Sequence, residues 1–495
     1  MHLRWLTLAC AAALLAGCAT VTNPVTGERE RTVMDEQSEV AEGRKAHEQV
    51  LKDYSVLPNP ALQAYVNDIG QRLARQSHRK QLEWHFTVLD SPDVNAFALP
   101  GGYVYVTRGI MPYLDSEADL AAVIGHEIGH VTARHSAQRA TRQQAAGIGV
   151  LAATVLGAVL EGVTGVSGAG QIASQASQGI AAGYVASYSR DQESQADRLG
   201  AEYLARVNLD PKNMIDVIGV LKNQEQYAAD SARAEGRTPQ PRADWLASHP
   251  SNDKRLEDIK QVAGQYKGNY VDDGRARYLQ ALNGLAFGES REQGVTRGRN
   301  FFHEPLGIAL TAPEGWKIHN QPEAITVVNP AGDAGLIVSV APPKAGSSHE
   351  EIIRNVFQPE QGRVAKLALG SFPATHFAGL RKNRQGQAQA IEATVVSGPK
   401  EQTYLLLYGA KDEAALQRAR GRIQEAEASF RPLASADLAA ARPWTVKTVP
   451  YPRGGFAQLA RQSPLTGNAE AQLRLINGFY AGGQPQPGQL VKIVE

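Results

Sequence analysis

His126 and His130 stand four residues apart in the run Leu120-Ala121-Ala122-Val123-Ile124-Gly125-His126-Glu127-Ile128-Gly129-His130-Val131, and no other feature of the chain narrows its fold so far. Residues at i and i+4 share one face of an α-helix. Here that helix is otherwise apolar, with Leu120, Val123, Ile124, Ile128 and Val131 forming the stripe of a core element. Ser116 and Asp119 supply a start of the capping-box kind. Polar side chains buried there need partners. The His-Glu-x-x-His spacing offers one: both imidazoles can take two tetrahedral corners of a single Zn²⁺, while Glu127 reaches the metal-bound water.

A zinc site needs a third ligand. Cys10 and Cys18 are the chain's two cysteines and both lie at its start, so the folded body must use His and carboxylates. The extended pattern with a third His after HxxGxx is excluded, because Ala133 and Ser136 occupy its Gly and His places. The best candidate is Glu193. On a helix beginning near Asp191, Ala196, Leu199, Gly200, Tyr203, Leu204 and Val207 form the buried stripe, and Glu193 and Asp197 share that face. Two acids at i and i+4 repel and are costly to bury. A zinc ion on Glu193, with Asp197 holding a ligating His through its second nitrogen, resolves both costs. An acidic first turn answering the helix dipole is the plainer reading, and Glu161 is a rival ligand. His249, before Pro250 and followed by Arg255, is a candidate for oxyanion stabilisation or a fourth ligand, with Arg255 as a second oxyanion partner. His47, His78, His85, His135, His303, His319, His349 and His376 have no comparable spacing and read as structural or surface residues.

Met1 to Leu15 reads as an export signal, basic at Arg4 and then apolar, too short for a permanent span. It ends Leu15-Ala16-Gly17-Cys18, which resembles a bacterial lipobox and implies that Cys18 is acylated as the mature N-terminus after residues 1–17 are removed. Ala19 in the next position implies the outer membrane. Residues 18–37 read as a polar tether, and helical periodicity starts near Ser38.

The expected fold class is α+β: a helix-rich zincin-type domain with a small sheet over 38–265, an α+β domain over 296–433, and a small module over 443–495. Strands are expected at Phe86–Leu89, Ala96–Leu99 and Tyr103–Thr107, the last two joined by Pro100-Gly101-Gly102 as a hairpin. Helices are expected over Ser116 to about Gln144 and from Asp191 to Val207. Between them, Ala145–Leu160 is small and apolar, read as a buried hairpin beside the site or an element touching a membrane interface. Beyond residue 300, apolar runs at 308–310, 325–328, 336–340, 393–396 and 404–408 read as strands, with helices at 349–357 and 412–428.

Taken together, Asn95-Ala96-Phe97-Ala98-Leu99-Pro100-Gly101-Gly102, the His126–His130 helix, Tyr188–Asp197 and Ser248-His249-Pro250 with Arg255 resemble the zinc metalloproteases that include the CAAX prenyl endopeptidases and the bacterial heat-shock membrane proteases. The resemblance spans about residues 35–265 and is nearest their soluble periplasmic lipoprotein branch. It implies one zinc per chain on His126, His130 and Glu193, with Glu127 as catalytic base. It further implies that His249 can occupy the open zinc position and hold the enzyme latent. No tetratricopeptide array is evident after the protease domain. Residues 445–493 are similar to a degenerate LysM module, which implies either peptidoglycan binding or a packing role.

Fifty-one Lys plus Arg balance 50 Asp plus Glu, which leaves no net field to attract nucleic acid. The expected function is a lipid-anchored zinc endopeptidase of the bacterial envelope, on the periplasmic face of the outer membrane, acting on unfolded or misassembled envelope polypeptides. Ala96, Phe97, Ala98 and Leu99 with Gly101 and Gly102 could accept an extended substrate by strand addition, or form a purely structural hairpin. The alternative function is an envelope chaperone or peptidoglycan-associated binding protein with a latent or structural zinc site.

Overall fold

The computed structural model describes residues 19–145, 188–234, 236, 238, 249, 253–270, 272–382 and 387–495. The expected export signal, Cys18, the apolar stretch from 146 to 160 and Glu161 lie outside them. The fold is α+β, in two compact units. One gathers the described residues up to 145, those from 188 to 287, and Trp444–Glu495; the other is Gly288–Pro443.

The first unit opens with a hairpin, β1 (Ala19–Thr22) and β2 (Arg29–Thr32), followed by α1 (Glu36–Asp53) and α2 (Pro60–Ala74). Residues 19–37 therefore do not form the free tether expected of them. The polar side chains that suggested it are used locally: buried Asn23 closes the turn by accepting from the Val25 amide and donates to the Ala133 carbonyl, and Thr141 bonds Thr32 and the Val33 amide.

The small sheet has the order β3 (His85–Leu89), β5 (Tyr103–Thr107), β4 (Ala96–Leu99). β4 and β5 form the expected antiparallel hairpin, with Ala96 opposite Val106, and β3 runs parallel to β5. The turn needs its glycines. Gly102 has φ +103°, and a Cβ there would lie 2.7 Å from the Glu83 carbonyl oxygen.

Among the described residues the helices α3 (Glu117–Thr132), α4 (His135–Ala145), α5 (Arg190–Arg206) and α6 (Asn213–Ala234) follow. Ser116 caps α3 by accepting from the Asp119 amide. The helix stops at Thr132, short of the expected run to about Gln144. Arg134 adopts φ +61°, and this break is held by long-range contacts: Arg134 reaches Glu39 and the Met34 carbonyl, while Arg79 donates to Glu39 and to the Val131 carbonyl. Cations at a helix C-terminus also answer its dipole. Ser189 and Gln192 form a reciprocal capping box at the start of α5.

Helices α7 (Asp253–Ala263) and α8 (Arg275–Leu282) and strand β6 (Ala286–Phe287) complete this part. The expectation of a separate module over 443–495 meets a different arrangement, because Trp444–Glu495 packs into the same unit. Its strands β18 (Trp444–Pro450) and β19 (Leu490–Val494) pair antiparallel, and β18 also pairs with β6. The fully buried Lys492 donates to the Leu114 carbonyl, just ahead of α3.

In the second unit, seven antiparallel strands take the order β10 (Lys317–Asn320), β11 (Ile325–Val328), β12 (Ala334–Val340), β16 (Thr403–Ala410), β15 (Ala388–Ser397), β14 (Phe372–Lys382), β13 (Gln361–Leu369). A smaller sheet joins β7 (Val295–Arg297), β8 (Asn300–His303), β9 (Ile308–Thr311) and β17 (Arg431–Pro432). The period-2 alternation buries both faces. Val396, Leu406 and Tyr408 pack against the helix Glu413–Ala428, and Ala393, Val395 and Leu405 against Ile352, Ile353 and Phe357. The apolar runs marked five of these strands. β7, β8, β10, β13, β14 and β17 were not marked; of these, β13 is a largely exposed edge strand.

Candidate metal centre

The site is built where α3 and α5 touch. Small residues allow the approach: a Cβ on Gly125 would stand 3.4 Å from the Gly200 Cα. His126 and His130 leave one face of α3, Glu193 and Asp197 the facing side of α5, and all four are buried, as are Glu127, His249 and Arg255. The shared helix face read from the sequence is thus the face that meets the histidines.

His126 donates from Nδ1 to Asp197 at 2.9 Å, which leaves its Nε2 aimed inward. Nε2 of His130 lies 3.0 Å from it, and Nδ1 of His249 lies 3.1 Å from it. Glu193 oxygens stand 3.5 Å from His126 Nε2, 3.4 Å from His130 Nε2 and 3.1 Å from His249 Nδ1. Ligands about 2.0 to 2.1 Å from a tetrahedral ion sit about 3.4 Å from one another. Donor spacings of 3.0 to 3.5 Å therefore fit zinc, and the set of three imidazoles and one carboxylate is the chemistry zinc prefers. Among the described residues, His126, His130, Glu193 and His249 are the group able to hold a metal ion.

The electrostatics agree. Burial disfavours ionised Glu193, yet His249, His126 and His130 around it win and hold its carboxyl well below the usual range. Burial likewise opposes ionised Asp197, and Arg255 and His126 together hold it below its usual value. For His126, burial lowers the basicity, but Asp197 and Glu193 raise it to about 10, whereas burial keeps His130 well below its ordinary value. The pocket is anionic and attracts a cation, a proton at His126 or a metal.

Glu127, between His126 and His130 on α3, has Oε1 3.5 Å from His249 Nε2. Arg255, a candidate oxyanion partner from the sequence, is engaged with two carboxylates. Its Nε and Nη2 make a two-pronged pair with Asp197 at 2.8 Å each, and Nη1 lies 3.0 Å from Glu193, so the guanidinium braces the ligands from behind. β4, with Ala96, Phe97, Ala98 and Leu99, is an edge strand among the described residues and packs on α3; Gly101 and Gly102 lie in its turn.

Two neighbours escaped the sequence reading. His135, read as structural or surface, is fully buried with Nδ1 2.8 Å from His130 Nδ1. Tyr188 stacks on His130, ring centroids 4.0 Å apart at 19°. On a continuous helix, His135 at i+5 would point away from His130. The break at Arg134 brings it back, and no Gly or Pro marks that break.

Residues 60–263 match the model of peptidase family M48. The chain is 30% identical over 248 residues to the beta-barrel assembly-enhancing protease of Yersinia pestis, covering 49% of this chain and 48% of that one. Its counterpart in Escherichia coli K12 is 29% identical over 241 residues, covering 49% and 47%. The mitochondrial metalloendopeptidase OMA1 of Schizosaccharomyces pombe is 29% identical over 243 residues, covering 48% of this chain and 65% of that one. The similarity spans about half the length of the bacterial relatives.

Proposed function

We propose that the chain, whose residues 60–263 match the model of peptidase family M48, is a zinc-dependent endopeptidase of the cell envelope. One zinc ion per chain is held by His126, His130 and Glu193. The observation that carries this reading is the convergence of those three buried side chains, from two helices, beside Glu127. When bound, zinc would supply a Lewis acid for the scissile carbonyl and lower the pKa of a water toward about 7. Glu127 takes the proton of the attacking water and returns it to the leaving amine. Asp197 fixes the orientation of His126, and Arg255 holds Asp197 and Glu193 in place.

The position of His249 supports a latent state. Four protein donors close a zinc site, whereas catalysis keeps one position open, so His249 withdraws before substrate enters. The edge strand Ala96–Leu99 accepts an extended chain by pairing with its backbone, which favours unfolded polypeptides over any one side-chain sequence. The names of the bacterial relatives support envelope proteins in assembly as clients, and Leu15-Ala16-Gly17-Cys18 supports a lipid anchor at the outer membrane. Latency also favours a second reading, a chaperone that holds the same clients around a closed zinc site.

Zinc content per chain, with cleavage of an unfolded protein by wild type and Glu127→Gln in parallel, tests the proposal. Stoichiometric zinc in both proteins and cleavage by wild type alone is expected. Client protection by both proteins with cleavage by neither would transfer the function to the chaperone reading.

A further inference from the structure

A line of hydrogen bonds runs outward from the back of His130. Its Nδ1 lies 2.8 Å from Nδ1 of His135, and Nε2 of His135 lies 2.9 Å from Oε1 of Gln195. Gln195 sits on α5 between Glu193 and Asp197, so the line returns to the helix that supplies the carboxylates.

The line has a direction. An amide oxygen only accepts, so His135 carries its proton on Nε2 and presents a bare Nδ1. His130 then donates from Nδ1, which leaves the lone pair of its Nε2 facing His126 and Glu193. Reversing the Gln195 amide would reverse every donor, place a proton on His130 Nε2 and spoil it as a ligand. The two histidines of α3 are thus held by different chemistry: His126 by the carboxylate of Asp197, His130 by a neutral imidazole and an amide. Stacking on Tyr188 fixes the plane of the His130 ring but not which of its nitrogens carries the proton.

We propose that His135 and Gln195 are positioning residues that set His130 in its Nδ1–H tautomer and direct Nε2 at the metal. This rests on the zinc reading above.

The test is zinc affinity of the full-length chain, stripped of metal and titrated against a chromophoric chelator, with thermal unfolding of the metal-free protein as a control for folding. His135→Phe keeps a ring but no acceptor, and its zinc affinity falls about 10- to 100-fold. His135→Asn, whose Oδ1 can stand in for Nδ1, recovers most of that loss. Gln195→Glu, an acceptor only, stays close to wild type, and Gln195→Leu loses affinity. Undiminished affinity in His135→Phe, or an equal loss in the Phe and Asn variants, overturns the relay. A wild type that binds no zinc at any concentration overturns the metal reading itself and this inference with it, so the two failures are told apart.

Discussion

Gly129 on α3 lies directly against Ala196 on α5: a Cβ at position 129 would stand 3.0 Å from the Ala196 carbonyl oxygen and 3.1 Å from its Cα. Both atoms are backbone, so neither can swing aside. This contact sets the spacing of the helices, and with it the 2.9 Å bond between His126 and Asp197.

Gly129→Ala is therefore expected to force α3 and α5 apart by a few tenths of an ångström. Overpacking of this kind costs about 1 to 3 kcal/mol, against about 1 kcal/mol gained in helix propensity. Zinc affinity should drop more clearly than stability, because all ligands depend on the spacing. Chelator competition and denaturant unfolding measure the two; unchanged zinc affinity would show that the ligands reposition freely.

His249→Ala should open the fourth position. Zinc stays bound through His126, His130 and Glu193, somewhat more weakly, and basal cleavage of an unfolded substrate rises. A fall in cleavage with zinc retained would instead make His249 a participant in the reaction, and an identical rate would remove it from both roles.

Lys492 ties the end of the chain to the loop before α3. In Lys492→Met the Leu114 carbonyl loses its buried donor, at a cost of about 1 to 3 kcal/mol. A chain ended at residue 443 should lose more, because Val446 belongs to the main core of the peptidase unit. Thermal unfolding and zinc content report on both. A shortened chain with unaltered melting and zinc binding would restore residues 443–495 to an independent module.

In the second unit His376 contacts Glu392 at 3.3 Å and lies 3.8 Å from Glu427. Those carboxylates, against the opposing effect of burial, raise it to about 9. The folded value lies above the unfolded one, so the protonated imidazole stabilises this unit fully below about pH 6.5, and the gain is lost as pH rises through about 9. The stability difference between wild type and His376→Gln should accordingly shrink from pH 6 to beyond pH 9. A difference that is constant over that range would mean that packing, not charge, explains it.

Much of the site was legible because helical periodicity is local. The face shared by His126 and His130, and the face shared by Glu193 and Asp197, follow from spacing within single helices. What was misread depends on contacts distant in sequence. The stop at Thr132 comes from Glu39 and Arg79, the use of residues 19–37 from Ala133 and Thr141, and the place of Arg255 from a two-pronged pair with Asp197.

Residue types and their spacing carry the chemistry: which side chains could bind a metal, the acid beside them, and the apolar stripes that bury their helices. The arrangement comes from packing between elements far apart in the chain. This packing set His249 within hydrogen-bond distance of His126 and Glu193, paired Arg255 with Asp197, and brought His135 against His130. Periodicity fixes the direction in which a side chain leaves its own helix, whereas the distance between helices is set by which residues are small enough to let their backbones meet.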